Sequence, residues 1–499
     1  VSTLAAALGT AAQERPDRVL IVDGDVELST ATLYRQAGAL ATSMSRRMRV
    51  GSVVSFMLPN WHEAAIVYLA AAISGMVVNP ILPSLRDSEL RFILSDADVR
   101  MIVIPGQFRG FDYAAMLSRV TAEMPAPPEV VVVRGEHPGQ TPLPELLEAP
   151  AAAASESDPA AARMIMYTSG TTGRPKGVLH SDESIEALIR QIGRYWRIDA
   201  GDTFLVPSPI AHVGGSIYAF ECPLLLGSSA VLMDTWDPDA AVALMQQHRV
   251  THMAGATPFL DGLLDAAERA GSRLPDLKVF ICGGASVPPA LIRRAADYFD
   301  KAVVTRVYGS TEVPVTTVGS LECADRAADT DGHAGIAEIT IVDGEIRVRG
   351  PQMCKGYLHR EDGASALDEN GYFRTGDLGH LTADGHLVVT GRAKDIIIRN
   401  GENISPKEVE DILIGHPEIA EIAVVGIPDA RTGERACAVI VPHARSIPGL
   451  ADLRDLLTAH GVARFKTPEQ VVVWDALPKN DAGKVLKHQI RATLSKGGN

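Results

Sequence analysis

Cysteine is scarce in this chain of 499 residues. The five, Cys222, Cys282, Cys323, Cys354 and Cys437, are odd in number and far apart, and they form no Cys-x-x-Cys pair. A disulfide framework or a thiolate zinc site is thereby disfavoured, and a reducing compartment fits best. Basic charge is short as well: 47 Lys and Arg against 61 Asp and Glu leave −14 with His neutral. Nonspecific nucleic-acid binding needs clustered cations that displace counterions, so no nucleic-acid partner is expected. The most apolar run, Ala64 to Val78, is interrupted by Ser74 and Gly75 and is too short to span a bilayer. It reads as a buried helix followed by a strand, and no transmembrane segment is expected. Val1-Ser-Thr-Leu-Ala-Ala-Ala has no basic segment ahead of an apolar block, so no signal peptide is expected and the expected location is cytoplasmic. A Walker A loop is missing too, since no Gly-x-x-x-x-Gly-Lys-Ser/Thr spacing occurs and Gly483-Lys484 is followed by Val485.

What is present is an ordinary globular balance, 46% hydrophobic and 22% charged. At roughly 100–200 residues per domain, the length predicts about two to four folding units. Short β-branched runs such as Val53–Met57, Met101–Ile104, Val130–Val133, Val250–Ala254 and Val279–Ile281 alternate with helical spacing over Trp61–Ala72, Leu260–Ala270 and Pro289–Phe299. Alternation of this kind predicts parallel sheets covered by helices. The Ala-rich stretch from Glu148 to Ala162 reads as a connector. From Ala337 the pattern turns to short strands and tight turns, with Asp343-Gly344 and Asp384-Gly385 as turn pairs, which predicts antiparallel β structure. After Lys394 comes helix–strand–strand–helix material over Pro406–Ile414, Ile419–Gly426, Cys437–Val441 and Leu450–His460. From Lys394 onward the chain has 14 Lys and Arg and 14 Asp and Glu, so the whole negative balance lies before it. The predicted class is α/β: a large N-terminal domain, 1–393, of two α/β sheet subdomains plus a β-rich subdomain, and a small C-terminal α+β domain, 394–499.

The most informative segment is Met164-Ile-Met-Tyr-Thr-Ser-Gly-Thr-Thr-Gly-Arg-Pro-Lys-Gly-Val178. A hydrophobic strand runs into a loop dense in Gly, Ser and Thr that closes on a lysine. Glycines let backbone N–H groups converge and hydroxyls add donors, which suits a polyphosphate. The string Tyr-Thr-Ser-Gly-Thr-Thr-Gly-x-Pro-Lys-Gly resembles the signature loop of the adenylate-forming superfamily, which includes acyl-CoA synthetases, luciferase and nonribosomal-peptide adenylation domains. Further segments resemble that family in order: Pro207-Ser-Pro-Ile-Ala-His-Val-Gly-Gly215, Phe280-Ile-Cys-Gly-Gly-Ala285, Val307-Tyr-Gly-Ser-Thr-Glu312, Gly344 to Tyr357, Tyr372-Phe-Arg-Thr-Gly-Asp-Leu-Gly379, Gly391 to Ile404 and Pro478-Lys-Asn-Asp-Ala-Gly-Lys484. The N-terminal third resembles the family more loosely, through Met57-Leu-Pro-Asn60.

The resemblance implies roles residue by residue. Thr168, Ser169, Gly170, Thr171, Thr172, Gly173 and Lys176 would cradle the ATP phosphates, with Thr172 and Glu312 toward Mg²⁺. Gly284, Ala285, Tyr308, Gly309 and Ser310 would take the adenine side, and Thr311 would offer its hydroxyl to the α-phosphate. Asp377 would accept both ribose hydroxyls, which suits a carboxylate, and Arg392 would reach the same sugar. His212, as pocket wall or gate, would border the acyl group with Val213, Ser216, Gly283, Gly309 and Val313. Lys484 would place its ammonium between substrate carboxylate and α-phosphate. Lys394 would be the hinge of a mobile small domain, and Gly401 would line a tunnel for the pantetheine arm of CoA, where a side chain would obstruct it. Arg431, Arg435, Arg464 and Lys466 are candidate contacts for CoA phosphates, with solvated surface an equal alternative for each. The family's motif over Gly344–Tyr357 is mostly structural and is assigned no chemistry.

The reaction so implied has two steps: a carboxylic acid and ATP give acyl-adenylate and pyrophosphate, then CoA thiol gives the thioester and AMP. The pocket residues are small or apolar and bring no Arg, Lys or Asp, which favours an uncharged aliphatic, alicyclic or aromatic monocarboxylic acid. Pro223-Leu-Leu-Leu-Gly227 and Trp236-Asp-Pro238 are most similar to medium-chain and cyclohexanecarboxylate ligases. Ile210-Ala211 precede His212 where many relatives carry an aromatic residue, so an aromatic gate is not expected there. Two other readings stay open at this point: an enzyme loading a carrier-protein phosphopantetheine, and a catalytically silent ATP-binding protein. The assembly state is open, a homodimer included.

Overall fold

The computed structural model describes residues 3–153, 157–168, 174–284, 287–429, 431–443, 447–481 and 483–496. Two large sheets dominate. The first has seven strands in the order Val303–Val307, Val279–Gly283, His252–Gly255, Thr203–Val206, Ser229–Leu232, Val19–Asp23 and Val26–Ser29, parallel except for the last. The second has eight, in the order Gly356–Tyr357, Lys176–Ser181, Ala162–Thr168, Val77–Pro80, Val53–Phe56, Val99–Pro105, Glu129–Val133 and Thr141–Pro142. Its first two joints are antiparallel and the rest parallel.

Both faces of these sheets are covered, which is why their strands read as continuous apolar runs rather than alternating ones. Side chains still alternate between two different cores. Phe204 and Val206 enter a central core, while Leu205 between them enters an outer one. Val279 and Ile281 likewise face the centre, and Phe280 and Cys282 face outward into a layer with the helices Thr257–Ala270 and Pro289–Tyr298. In the second sheet Met101 and Val103 face the centre and Ile102 and Ile104 the far side. The central core is filled by Thr30–Arg47 and His62–Ser74; eleven of the thirteen residues of the latter are buried, as a helix between two sheets requires.

Residues 148–161 form no regular element among those described, as the connector reading expects, and Ala152 donates its amide to the Gly38 carbonyl of the helix beneath. The β-rich part is a four-stranded antiparallel sheet, Glu338–Val342, Glu345–Arg349, Phe373–Leu381 and Leu387–Arg392, with its own small core.

The small C-terminal domain is built on Glu402–Ile404, Ile397–Arg399, Gly433–Pro442, Ile419–Asp429 and Gln470–Val473. Helices Pro406–Leu413 and Leu450–Ala459 cover one face and Lys487–Lys496 the other. The first hairpin, the parallel edge strand and the last helix add to the helix–strand–strand–helix pattern read from sequence. Among the described residues no helix is long and apolar enough to cross a membrane.

A buried ionic knot ties the second sheet to neighbouring helical segments. Arg163 of Ala162–Thr168 contacts Glu221 at 3.0 Å and Asp182 at 2.7 Å, and Tyr68 donates to Glu221. Glu221 closes a π-helical turn, Ile217–Glu221, and is fully buried. Burial raises its carboxyl pKa, while the Arg163 guanidinium opposes the rise. Arg163→Met would strand two carboxylates away from water. The expected cost is about 3–5 kcal/mol, read as a lower urea midpoint; an unchanged midpoint would show that Glu221 needs no cation.

Candidate active site

Thr168, Gly283, Gly284 and Tyr308 lie at or just past the carboxyl ends of strands in the two large sheets, where open α/β sheets bind ligands. Thr168 ends its strand directly opposite Lys176, the first residue of its antiparallel partner strand. Ser169, Gly170, Thr171, Thr172 and Gly173 lie outside the described residues, as does Ala285. The stems are well held. Tyr167 donates to Asp96 at 2.7 Å, Arg174 pairs with Asp362 at 2.8 Å, and Lys176 donates to the Asp362 carbonyl at 3.2 Å.

The segment after Val303–Val307 carries Tyr308 to Glu312. Tyr308 donates its hydroxyl to Asp377 Oδ2 at 2.8 Å, and burial with that neighbouring carboxylate pushes the phenol pKa well up. Ser310 and Val313 close a turn, with the Ser310 hydroxyl accepting the Val313 amide at 3.1 Å. The Thr311 carbonyl accepts from His180 Nε2 at 2.7 Å. Burial lowers the His180 pKa to about 4, so the ring is neutral with its proton on that nitrogen. Glu312 Oε1 accepts from the Tyr357 hydroxyl at 2.9 Å. No hydrogen-bond partner holds Oε2 among the described residues, which leaves it free to take a cation. Elsewhere Asp23, His62 and Glu63 cluster closely enough to hold an ion, but Arg134 already bridges the two carboxylates, at 2.5 Å from Asp23 and 2.8 Å from Glu63.

Asp377 and Arg392 sit directly across from each other in the four-stranded sheet, and strand register alone brings Arg392 Nε to 2.8 Å from Asp377 Oδ1. Lys484 arrives from the small domain in a turn closed by hydrogen bonds between Asn480 and both Gly483 and Lys484. Burial lowers its pKa to about 8, with Arg392 adding to the fall and Asp377 opposing it. Its turn is docked on the large domain: Asp481 accepts from Ser84, and a Cβ built on Gly483 would lie 3.3 Å from Pro258. Gly284 is exposed at the end of the neighbouring strand.

The expected acyl-side residues divide. His212 caps the short helix Val213–Ser216; its Nε2 is shielded from water and unpartnered among the described residues, and burial lowers its pKa. Asn60 fixes the approach to it, donating to the Val206 and Ser208 carbonyls at 2.9 Å and accepting from Ile210 N at 3.1 Å. Val213, Gly283 and Gly309 keep open surface, whereas Ser216 and Val313 are 0% exposed. Val313 packs with Ile346, Val348, Phe373 and Leu387 beneath the four-stranded sheet, so it supports the loop rather than facing a pocket. Ser216 is sealed in the packing of its own helix.

Lys394 lies in a single 3-10 turn, Ala393–Asp395, between the two sheets it connects. Gly401 is exposed, and a Cβ there would meet nothing within 4 Å. In this arrangement its glycine answers to backbone shape: Asn400 and Gly401 have φ of 51° and 81°, the pattern of a tight two-residue hairpin turn. Arg431 and Arg464 are exposed, Arg435 is half-buried, and Lys466 pairs with Glu408 at 2.7 Å. Sequence reading missed Tyr357, His180, Asp362 and the Ser84–Asp481 contact. Tyr357 stood inside a stretch assigned no chemistry, and the others carry no spacing that marks them.

Residues 8–358 match the AMP-binding enzyme family and residues 408–484 the AMP-binding enzyme C-terminal domain. A medium-chain fatty-acid–CoA ligase of Escherichia coli K12 is 34% identical over 97% of this chain and 89% of its own length. A ligase of Rhodococcus jostii, named for a methyl-dioxo-octahydroindenyl propanoyl:CoA product, is 32% identical over 98% of each. Among solved structures, ATP-bound MatB from Rhodopseudomonas palustris superposes with a TM-score of 0.87 at 27% identity, covering 98% of this chain and 99% of that one. The apo form of that protein gives 0.77 at 28% identity, covering 99% of each chain. The chain belongs to the AMP-binding enzyme family, in the acyl-CoA synthetase branch of the adenylate-forming enzymes.

The crowding at Gly309 gives a test of the site. A Cβ there would lie 2.6 Å from the Val315 amide nitrogen and 3.2 Å from that of Thr316, both backbone atoms. Gly309→Ala must displace the loop that carries Thr311 and Glu312. A shift near 1 Å is expected to slow acid-dependent pyrophosphate release on the order of 100-fold, and a wild-type rate would show that the loop can yield.

Proposed function

We propose that this protein is an AMP-forming acid–CoA ligase that activates an uncharged monocarboxylic acid. The observation that carries the reading is that the small domain brings the buried Lys484 ammonium near enough to the paired Asp377 and Arg392 to feel both charges, in a chain of this family. In the first step an oxygen of the substrate carboxylate attacks the α-phosphorus of ATP, and the bond to the pyrophosphate oxygen breaks. Negative charge gathers on the α-phosphoryl oxygens, and an ammonium fixed there stabilises it without reorganisation. Lys484 fills that role, and Thr311 donates its hydroxyl to the same phosphate. Asp377 accepts the ribose hydroxyls through lone pairs that Tyr308 and Arg392 leave open, and the Tyr308 and Gly284 backbones border the base. Glu312 and Thr172 would hold Mg²⁺, which supplies charge neutralisation at the phosphates; the free Oε2 of Glu312 fits that use.

In the second step the CoA thiol attacks the acyl carbon, the carbon–oxygen bond to AMP breaks, and the thiol proton leaves to solvent. We take residues 394–499 to turn about Lys394 between the steps, withdrawing Lys484 and bringing Gly401 toward the pantetheine arm, with Arg431, Arg435, Arg464 and Lys466 as candidate phosphate contacts. The higher TM-score against the ATP-bound relative than against its apo form supports the arrangement described above as that of the first step. A carrier-protein acceptor is not favoured, since the relatives at 34%, 32% and 31% identity over 97%, 98% and 93% of this chain are named as CoA ligases.

The acid is read as aliphatic, alicyclic or aromatic. The relatives' names cover a medium-chain fatty acid and a fused-ring propanoic acid. Val213, Gly283 and Gly309 offer apolar or backbone surface, and Ile210 and Ala211 leave no aromatic ring before His212. Five unpaired cysteines support a cytoplasmic location.

Mass spectrometry with MgATP and a panel of straight-chain, cyclohexane, benzoic and cinnamic acids, with and without CoA, tests the reading. Acyl-CoA and AMP from one cluster of acids is the expected result; acyl-adenylate that never moves to CoA would overturn the acceptor.

Lys484 gives a second test. Its charged form is the active one, so kcat/KM for acid in pyrophosphate release should fall as pH rises through about 8. Lys484→Ala should lose that alkaline limb and slow the step on the order of 100- to 1000-fold, while thioester formation from supplied acyl-AMP continues. Equal loss in both half-reactions would remove Lys484 from this role.

A further inference from the structure

The stretch Cys354–Leu358 stitches two parts of the site together. On one side the Lys355 amide donates to the Leu179 carbonyl and the Leu358 amide to that of Gly177, both at 2.8 Å, so the stretch runs along the strand that leaves the phosphate loop. On the other side the Cys354 amide donates to the Glu312 carbonyl at 2.7 Å. Tyr357 then acts in both directions with its side chain. Its hydroxyl donates to Glu312 Oε1 at 2.9 Å, and Lys176 Nζ lies 5.5 Å from its ring centre.

The geometry points to Tyr357 as a positioning residue for the carboxylate of Glu312, orienting its free oxygen toward the cation that accompanies ATP. The inference rests on the reading of Glu312 given above. A carboxylate on a short flexible stem loses a single orientation unless one oxygen is tied, and groups that tie a metal ligand commonly govern metal affinity. Here the tie comes from a phenol whose own backbone is locked to the strand behind the phosphate loop. The separation between Lys176 and Glu312 is therefore set by one segment rather than by two independent loops.

The test uses Mn²⁺ binding, followed by electron paramagnetic resonance, to the full chain with an ATP analogue carrying a methylene bridge between the α and β phosphorus. Tyr357→Phe keeps the ring beside Lys176 and removes only the hydroxyl. The expected result is Mn²⁺ affinity weaker by roughly tenfold, a matching rise in the Mg²⁺ needed for half-maximal pyrophosphate release, and an unchanged urea midpoint. Glu312→Gln should weaken Mn²⁺ at least as much, and the double variant should add little further. Wild-type Mn²⁺ affinity in Tyr357→Phe beside a loss in Glu312→Gln would overturn the inference alone. Wild-type affinity in Glu312→Gln would overturn the reading of Glu312 itself. A fall in urea midpoint with no change in metal affinity would make Tyr357 merely a packing residue.

Discussion

Asp377 gives one carboxylate oxygen to Arg392 and the other to Tyr308, each at 2.8 Å. Two parts of the molecule meet on that one group, and a third brings a cation within reach of its charge. Tyr308 follows the edge strand of the seven-stranded sheet, Asp377 and Arg392 belong to the four-stranded sheet, and the buried ammonium of Lys484 comes from the small domain. Cross-strand register sets the first contact and sheet packing the second. Only the third depends on how the small domain is turned. A site assembled this way has one half fixed within the large domain and a cation whose place follows the small domain, which suits the two-step reaction proposed above.

Most of the architecture was legible because burial on both faces writes itself into the sequence. Val53–Phe56, Val99–Pro105 and Glu129–Val133 are apolar enough to be read as covered parallel strands, and Asp343-Gly344 marks its hairpin without ambiguity. The small domain was read less fully. Ile397–Arg399 and Glu402–Ile404 are three residues each, too short for any period to emerge, and Gln470–Val473 is an edge strand held by one neighbour.

The site divides the same way. Asp377, Arg392, Tyr308 and Lys484, which the structure brings near one another, were candidates from the start because each stands in an ordered string that resembles a family motif. Tyr357, His180 and Asn60 received no role, two of them although they stand in family-like strings, because what they do is defined by partners far away in sequence: Tyr357 meets Glu312, His180 meets the Thr311 carbonyl, and Asn60 meets the loop before His212. Val313 shows the converse error. Its place beside Glu312 suggested a pocket wall, yet an apolar residue one position after a surface carboxylate turned inward, into the core under the loop.

The placement of sulfur has a consequence for chemical selectivity. A mixed carboxylic–phosphoric anhydride acylates any thiolate it can reach, the protein's own included. Cys282 lies one residue before Gly283 at the strand end, but pleating turns it into the outer core, where it has no exposed surface and burial pushes its thiol up to about 12. Cys354, whose amide holds the Glu312 carbonyl, is pushed up to about 11. Neither offers a thiolate near neutral pH. Neither of these two thiols would compete for the acyl group of the proposed adenylate, and the sulfur nucleophile in that reaction would be one delivered from outside the chain.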